Sequence, residues 1–442
     1  MKTLPLILFS LCALIGASPS LAAADPRPDL VGRVEETDGS PVAKATVFVY
    51  TAGPKKGTST LCPSCYADCR KKTRTDADGR FKIESLDPAL LFRLLVVAPG
   101  HESSFATKVD PARGEQEIVL NPLSQEELTS TRRVKGLVVG PDGKPVPEAV
   151  ISPEGVGMGH TTRWGGTDSY VEPLAVADEQ GRFILYCRSP DADLIHATAD
   201  GRGVAKQWVS LKPGGDYLIR MREGVTVTGT IVRNGQPVRD VALAVVTTDR
   251  TCGKYFNGHD TTTDRDGRFQ MWNVPPDREF YIYSRMASSP GPGALPARKF
   301  TTGASGSSQD LGKLLLQTAF KVAGRVVLSD GKPIPAGTKI LLSRETAMDV
   351  LQVTLGADGA FEFTGVPAES MSLSLRVKGY QFSKRNPNLD RLNGSIVGRV
   401  TGDLTQLDLL MEPGEWRPNQ DDVRGDGSDV YPAGKPLRGI KR

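Results

Sequence analysis

The chain is poor in the residues that most enzymes use for chemistry. Of its 442 residues only four are histidine and six are cysteine. No G-x-S-x-G, H-E-x-x-H or G-x-x-x-x-G-K-[ST] stretch occurs. The nucleophile-elbow hydrolases, the helix-borne zinc proteases and the P-loop enzymes therefore have no signature here. Aromatics make up 6%. Lys plus Arg (55) nearly balances Asp plus Glu (51), without the clustered basic face a nucleic-acid partner needs. Beyond the N-terminus no apolar run is long enough to cross a bilayer. Glycine (47) and proline (32) are abundant instead, which fits many turns and short strands rather than long helices.

The N-terminus carries an address. Lys2 precedes an apolar run from Leu4 to Ala17, and small residues follow at Ser20-Leu21-Ala22 and Ala22-Ala23-Ala24. That order is a secretory signal peptide over 1–24, and it is too short for a membrane anchor. Cys12 lies inside the run behind Leu11, where a lipid-modified cysteine needs a small residue, so it is lost on maturation. The mature chain is expected to be secreted, periplasmic or at the cell surface, with no transmembrane anchor after signal cleavage. Its compartment is then oxidising.

One phrase recurs. It reads VGRVEETDGSPVAKATVFV (31–49), KGLVVGPDGKPVPEAVISP (135–153), TGTIVRNGQPVRDVALAVV (228–246) and AGRVVLSDGKPIPAGTKILL (323–342). Gly32, Gly136, Gly229 and Gly324 open the copies at intervals of 104, 93 and 95 residues. Each copy runs strand, Asp-Gly or Asn-Gly turn, Pro, strand, and such turns tolerate the positive φ a tight hairpin requires. A second phrase follows in each: TDADGRFKI, ADEQGRFIL, TDRDGRFQM and GADGAFEF. Phe81, Phe183, Phe269 and Phe361 head alternating strands and are the expected core anchors. Two further strands close each copy. The expectation is an all-β chain of four tandem Ig-like, transthyretin-like antiparallel β-sandwiches. They span 25–123, 134–222, 225–317 and 320–413, with a disordered tail over 414–442. The joints fall near 124–133, 222–225 and 316–320. They are short, so neighbouring units are expected to pack end to end. The Gly/Ser/Pro-rich stretch 288–308 reads as an excursion inside unit three.

These phrases resemble the carboxypeptidase regulatory-like domain. Its signature, G-x-V-x-D-x-x-G-x-P-V-x-x-A-x-V followed by T-D-x-x-G-x-F, is matched best at 32–47 and 75–81, departing at Glu36. Unit two also matches well. Asn234-Gly235 shortens one turn of unit three, and Gly356 replaces the first Asp of the second phrase in unit four. The resemblance implies a transthyretin-like sandwich and a non-catalytic role as spacer, stability module or ligand-contacting module in an exported protein.

Variation between copies concentrates after the first phrase. Units one to three insert TAGPKKGTSTLCPSCYADCRKK, EGVGMGHTTRWGGTDSYVEP and TDRTCGKYFNGHDT, and unit four has only SRETAMDVLQ. Loops at one end of a sandwich are the usual place for binding. The candidate ligand-binding residues are His160, Arg163, Trp164, Tyr170, Tyr255 and His259. Their rings could stack on a sugar, or fold back to cover the sandwich end. The expected partner is a polysaccharide or a cell-surface protein, with no cofactor, metal or nucleic acid. The chain reads first as a non-catalytic scaffold or spacer, and second as a binding module using these loops.

Cys62, Cys65, Cys69 and Cys252 sit in the same loops. One C-x2-C with no second pair is an incomplete zinc box, Tyr66 follows Cys65 where a haem attachment needs His, and no α/β context suits a thioredoxin. In an exported chain a disulfide is the better reading. Five cysteines remain after maturation, so two bridges and one free thiol could be arranged in fifteen ways (five choices of free thiol, three pairings each). Cys187 alternates with Phe183 and Leu185 and is the candidate free thiol. The Asp76-Ala77-Asp78-Gly79 and Asp264-Arg265-Asp266-Gly267 stretches lack a full calcium ligand series and read as turns.

Overall fold

The computed structural model describes residues 27–250, 255–289, 291, 293–415 and 435–440. The expected signal peptide, Cys252, and 416–434 and 441–442 of the tail lie outside the described residues. Strands take 51% of the described residues and helix 3%. The chain is all-β, built of four tandem β-sandwiches.

Unit one shows the plan. One sheet has the strand order Lys72–Arg74, Thr46–Pro54, Leu90–Val97, Ser104–Val109. The facing sheet has Arg80–Ile83, Leu30–Glu36, Gln116–Leu120. Val34, Val47, Phe81, Leu94 and Ile118 meet between them. The other units centre their two sheets on the corresponding strands. These are Val150–Met158 with Val134–Val139, Ala242–Thr247 with Val225–Arg233, and Lys339–Arg344 with Phe320–Leu328. The hairpin-linked pairs are antiparallel. Each unit adds one parallel pair, because its first and last strands run the same way side by side.

The repeated residues have local causes. A Cβ on Gly32 would lie 2.4 Å from the Gln116 carbonyl oxygen and 2.6 Å from the Phe81 ring. Glycine there lets the closing strand and the anchor phenylalanine reach the opening strand. The second phrase is a turn held by its aspartate: Asp76 Oδ1 accepts from the Asp78 and Arg80 amides at 3.0 and 2.8 Å. Asp178 and Asp264 do the same. These carboxylates are occupied by backbone, as turn chemistry requires.

The units do not pack simply end to end. Thr46, Val47, Phe48 and Val49 are all buried, so this strand is covered on both faces. Phe48 and Leu95 pack with Leu174 of unit two, flanked by Tyr50, Phe105, Val150 and Val176. Burying each such side chain contributes roughly 1.5–3 kcal/mol. Units three and four make an equivalent face from Ala244, Val246, Tyr283 and Ala347. Unit one also reaches unit four. Thr58 and Thr338 form a parallel bridge, the Lys339 amide donates to the Thr58 carbonyl at 3.2 Å, and Thr58 Oγ1 donates to the Arg376 carbonyl at 2.8 Å.

Three local expectations change. The joint at 124–133 holds a short helix, Gln125–Thr129, with a capping box between Ser124 and Glu127. The stretch 288–308 contains a strand, Arg298–Thr301, that pairs with Glu279–Ser284 at the edge of one sheet of unit three. The expected disordered tail is ordered at 435–440. There the Leu437 amide donates to the Arg399 carbonyl at 2.9 Å, and the Leu437 side chain is buried in the core of unit four. The buried leucine works with backbone bonds to Arg399 and Asp408 and with side-chain bonds to Asn388, which hold a segment that has no periodicity of its own.

Candidate functional site

The enlarged loop of unit one is tied by polar contacts. The buried Asp68 carboxylate accepts from Arg27 at 2.6 and 2.7 Å, from Lys71 at 2.9 Å and from the Asp87 amide at 2.8 Å. Cys62, Cys65, Cys69 and Cys187 are free thiols, and no disulfide forms among the described residues. Cys62 and Cys65 are exposed, Cys69 is buried, and Cys187 packs in the core of unit two. Burial pushes the Cys69 thiol up to about 11 and, with the neighbouring Cys62, pushes Cys65 up to about 12. At Cys62 partial burial also acts upward, but hydrogen bonds from Ser64 and Cys65 outweigh it and hold the thiol below its ordinary range.

In unit two the strand Thr161–Trp164 lies against Val150–Met158. Trp164 lies over Gly155, where a Cβ would be 2.4 Å from its ring. Trp164 then stacks on His196 with centroids 5.0 Å apart, and Trp208 adjoins both at 5.9 Å. Trp164 remains 42% exposed. Arg163 is exposed and its guanidinium sits 5.6 Å from the Tyr170 ring. Tyr170 is half-buried against the unit-two core. His160 is exposed at the turn and joins no ring contact described here. Tyr255 is half-buried in the face between units three and four, and its hydroxyl has no hydrogen-bond partner among the described residues. His259 lies on the strand Asn257–Thr262, and its side chain is outside what is described.

Burial first and the Arg70 charge second lower the Lys206 pKa. Arg70 and Cys65 also act on Tyr255, whose hydroxyl is raised to about 12 mainly by burial. His196 and Trp208 were not among the candidates, because they belong to regular strands rather than to the enlarged loops. Alternation along Leu194–Asp200 and Gln207–Leu211 would have placed both on one outward face.

A cleft of about 880 Å³ lies between units one and two, lined in part by Lys44, Arg74, His101, Arg133, Glu172 and Tyr186. Burial raises the Glu172 carboxyl to about 7, against the pull of Arg188 at 3.8 Å. A folded-state value above the unfolded 4.5 favours folding fully below pH 4.5, and that contribution is lost as pH rises to 7. The loss is roughly 3 kcal/mol. Glu172→Gln is therefore expected to match the parent at pH 4 and to be more stable at pH 8, measured by denaturant unfolding. An equal gap at both pH values would contradict this. Among the described residues, no group of three His, Cys, Asp or Glu is placed to hold a metal ion, and no helix is long and apolar enough to cross a membrane.

No family model matches the sequence, and no curated protein matches it. Similar solved structures include GBS52, the minor pilin of Streptococcus agalactiae, at 12% identity over 44% of this chain and 98% of that one, with a TM-score of 0.25. The streptococcal ancillary pilin is similar at 11% over 65% and 99%, with a TM-score of 0.22. The shaft pilin SpaA of Lactobacillus rhamnosus GG is similar at 10% over 45% and 100%, with a TM-score of 0.19. At these identities and scores the likenesses carry no functional conclusion.

Proposed function

We propose that the chain is an exported, non-catalytic scaffold of the periplasm or cell surface, made of domains at 25–123, 134–222, 225–317 and 320–413. The observation that carries this is the contact of unit one with unit four. Together with the faces that join units one to two and three to four, it makes one braced body. A flexible spacer needs no such bracing. The signature at 32–47 and the signal peptide at 1–24 support the same reading. Limited proteolysis tests it: the joints at 222–225 and 316–320 are expected to resist cleavage while the units remain folded. Release of four separate units at low protease would overturn the rigid-scaffold reading.

A second reading is polysaccharide binding at the free face of Trp164, beside Arg163. Its exposure favours this, but the ring stack spends the other face of Trp164 on His196. Tryptophan fluorescence titrated with cell-wall polysaccharide, with Trp164→Ala as control, decides it. Saturable quenching lost in the variant supports binding, and identical curves remove it.

A further inference from the structure

The cysteines of unit one are not equivalent. The Cys65 amide donates to the Cys62 carbonyl at 2.9 Å, closing a tight turn. Such a turn holds its first and fourth Cα atoms within about 7 Å. A disulfide needs Cα atoms about 4.4–6.8 Å apart. Both side chains are exposed. Cys69 is turned away, with its thiol directed to the Pro63 carbonyl at 3.3 Å. Cys187 is enclosed in another unit. Ser64, between the pair, places its hydroxyl 3.1 Å from Cys62 Sγ. The loop is meanwhile anchored through Asp68 and through Thr58 to Thr60, so its shape does not depend on a bridge.

We propose that Cys62 and Cys65 are a reversible dithiol–disulfide pair that exchanges with external disulfides, Cys62 attacking and Cys65 resolving. The asymmetry of the two thiols fits this order. The lowered Cys62 supplies the thiolate, and the raised Cys65 keeps its proton until the second step. With a low-molecular-weight disulfide as oxidant, the Cys62 thiolate attacks one sulfur, a mixed disulfide forms, and the other half leaves as a thiolate. Cys65 then loses its proton to solvent or to that thiolate. It attacks Cys62 Sγ and expels the second half. The two cysteines lose two electrons and two protons, and the oxidant becomes two thiols. This adds a chemical activity to the scaffold and places it beside the contact of unit one with unit four.

The test uses the full mature chain carrying Cys252→Ser, fully reduced, with oxidised glutathione as probe and intact mass with peptide mapping as readout. The parent is expected to form a Cys62–Cys65 bridge and retain no glutathione. Cys65→Ser is expected to keep one glutathione on Cys62. Cys62→Ser should react more slowly by about tenfold or more, because a raised thiol has little thiolate. Circular dichroism of each variant confirms that the units remain folded. Three results would overturn the proposal: trapping at equal rates in both variants, glutathione retained by the parent, or a bridge that uses Cys69. No exchange in a folded parent would overturn it as well.

Discussion

Replacing Glu369 by alanine is expected to destabilise the face between units three and four by about 3–5 kcal/mol, as breaking a buried ion pair does. The Arg344 side chain is fully buried. Its guanidinium grips Glu369 with two parallel bonds of 2.9 and 2.8 Å, from Nε and Nη2. Nη1 donates to the Ser284 carbonyl of unit three at 2.8 Å, and the Tyr283 ring lies 5.0 Å away. Glu369 also accepts from the Ala297 amide of unit three. Asp349 accepts from the Met286 amide at 2.7 Å. Removing Glu369 leaves the buried Arg344 cation with only the longer Asp349 carboxylate contact at 3.7 Å, and leaves the Ala297 amide without its acceptor. The loss should appear as faster hydrogen exchange in Lys339–Arg344, with the strands of units one and two unchanged. Replacing the pair together, Arg344→Met with Glu369→Leu, is expected to recover most of the loss. An effect under about 1 kcal/mol from Glu369→Ala would contradict the account.

Gly57→Ala is expected to separate unit one from unit four without unfolding either. Gly57 and Gly337 meet backbone to backbone, with φ of +76° and +78°. A Cβ on Gly57 would lie 1.7 Å from the Gly337 carbonyl oxygen, and no side-chain movement relieves a clash with backbone. The left-handed φ adds a cost of roughly 1–2 kcal/mol for any residue with a Cβ. The bonds around this contact go with it. They include Ser59 to Gln352 at 2.7 Å and Thr60 with Ser374 at 2.9 Å. The core of unit one is built from other residues, so its thermal unfolding should stay within about 1 kcal/mol of the parent. Faster hydrogen exchange at Thr58 to Thr60 and Lys339 is the expected readout. Unchanged protection there would contradict the close backbone contact.

The sandwich plan was legible because its constraints are local. An opening glycine, an Asp-Gly turn and a phenylalanine two residues past the second turn recur, and each has a steric or hydrogen-bonding cause. What joins the units was harder to read. Thr46 to Val49 and Leu243 to Thr247 are continuous buried runs, the pattern of strands covered on both faces. Read that way, they would have argued against end-to-end packing. The Gly57–Gly337 contact and the Arg344–Glu369 pair bring together residues from distant parts of the chain, and no period in sequence marks them. The cysteine loop was read as one that a staple would have to hold. Its anchor is Asp68, a single acid whose three partners, Arg27, Lys71 and the Asp87 amide, come from three separate stretches. Trp164 was found from its loop. His196 and Trp208, its stacking partners, required the register of four strands.

The central claim is that four sandwiches close into one body, with the loop of unit one seated on unit four. Small-angle X-ray scattering of the mature chain tests it most directly. The account predicts a compact particle, with a radius of gyration near the compact-chain value of about 22 Å for a chain this long, and a larger value for Gly57→Ala. A radius about twofold larger in the parent, with the extended distance distribution of four units in a row, would contradict it.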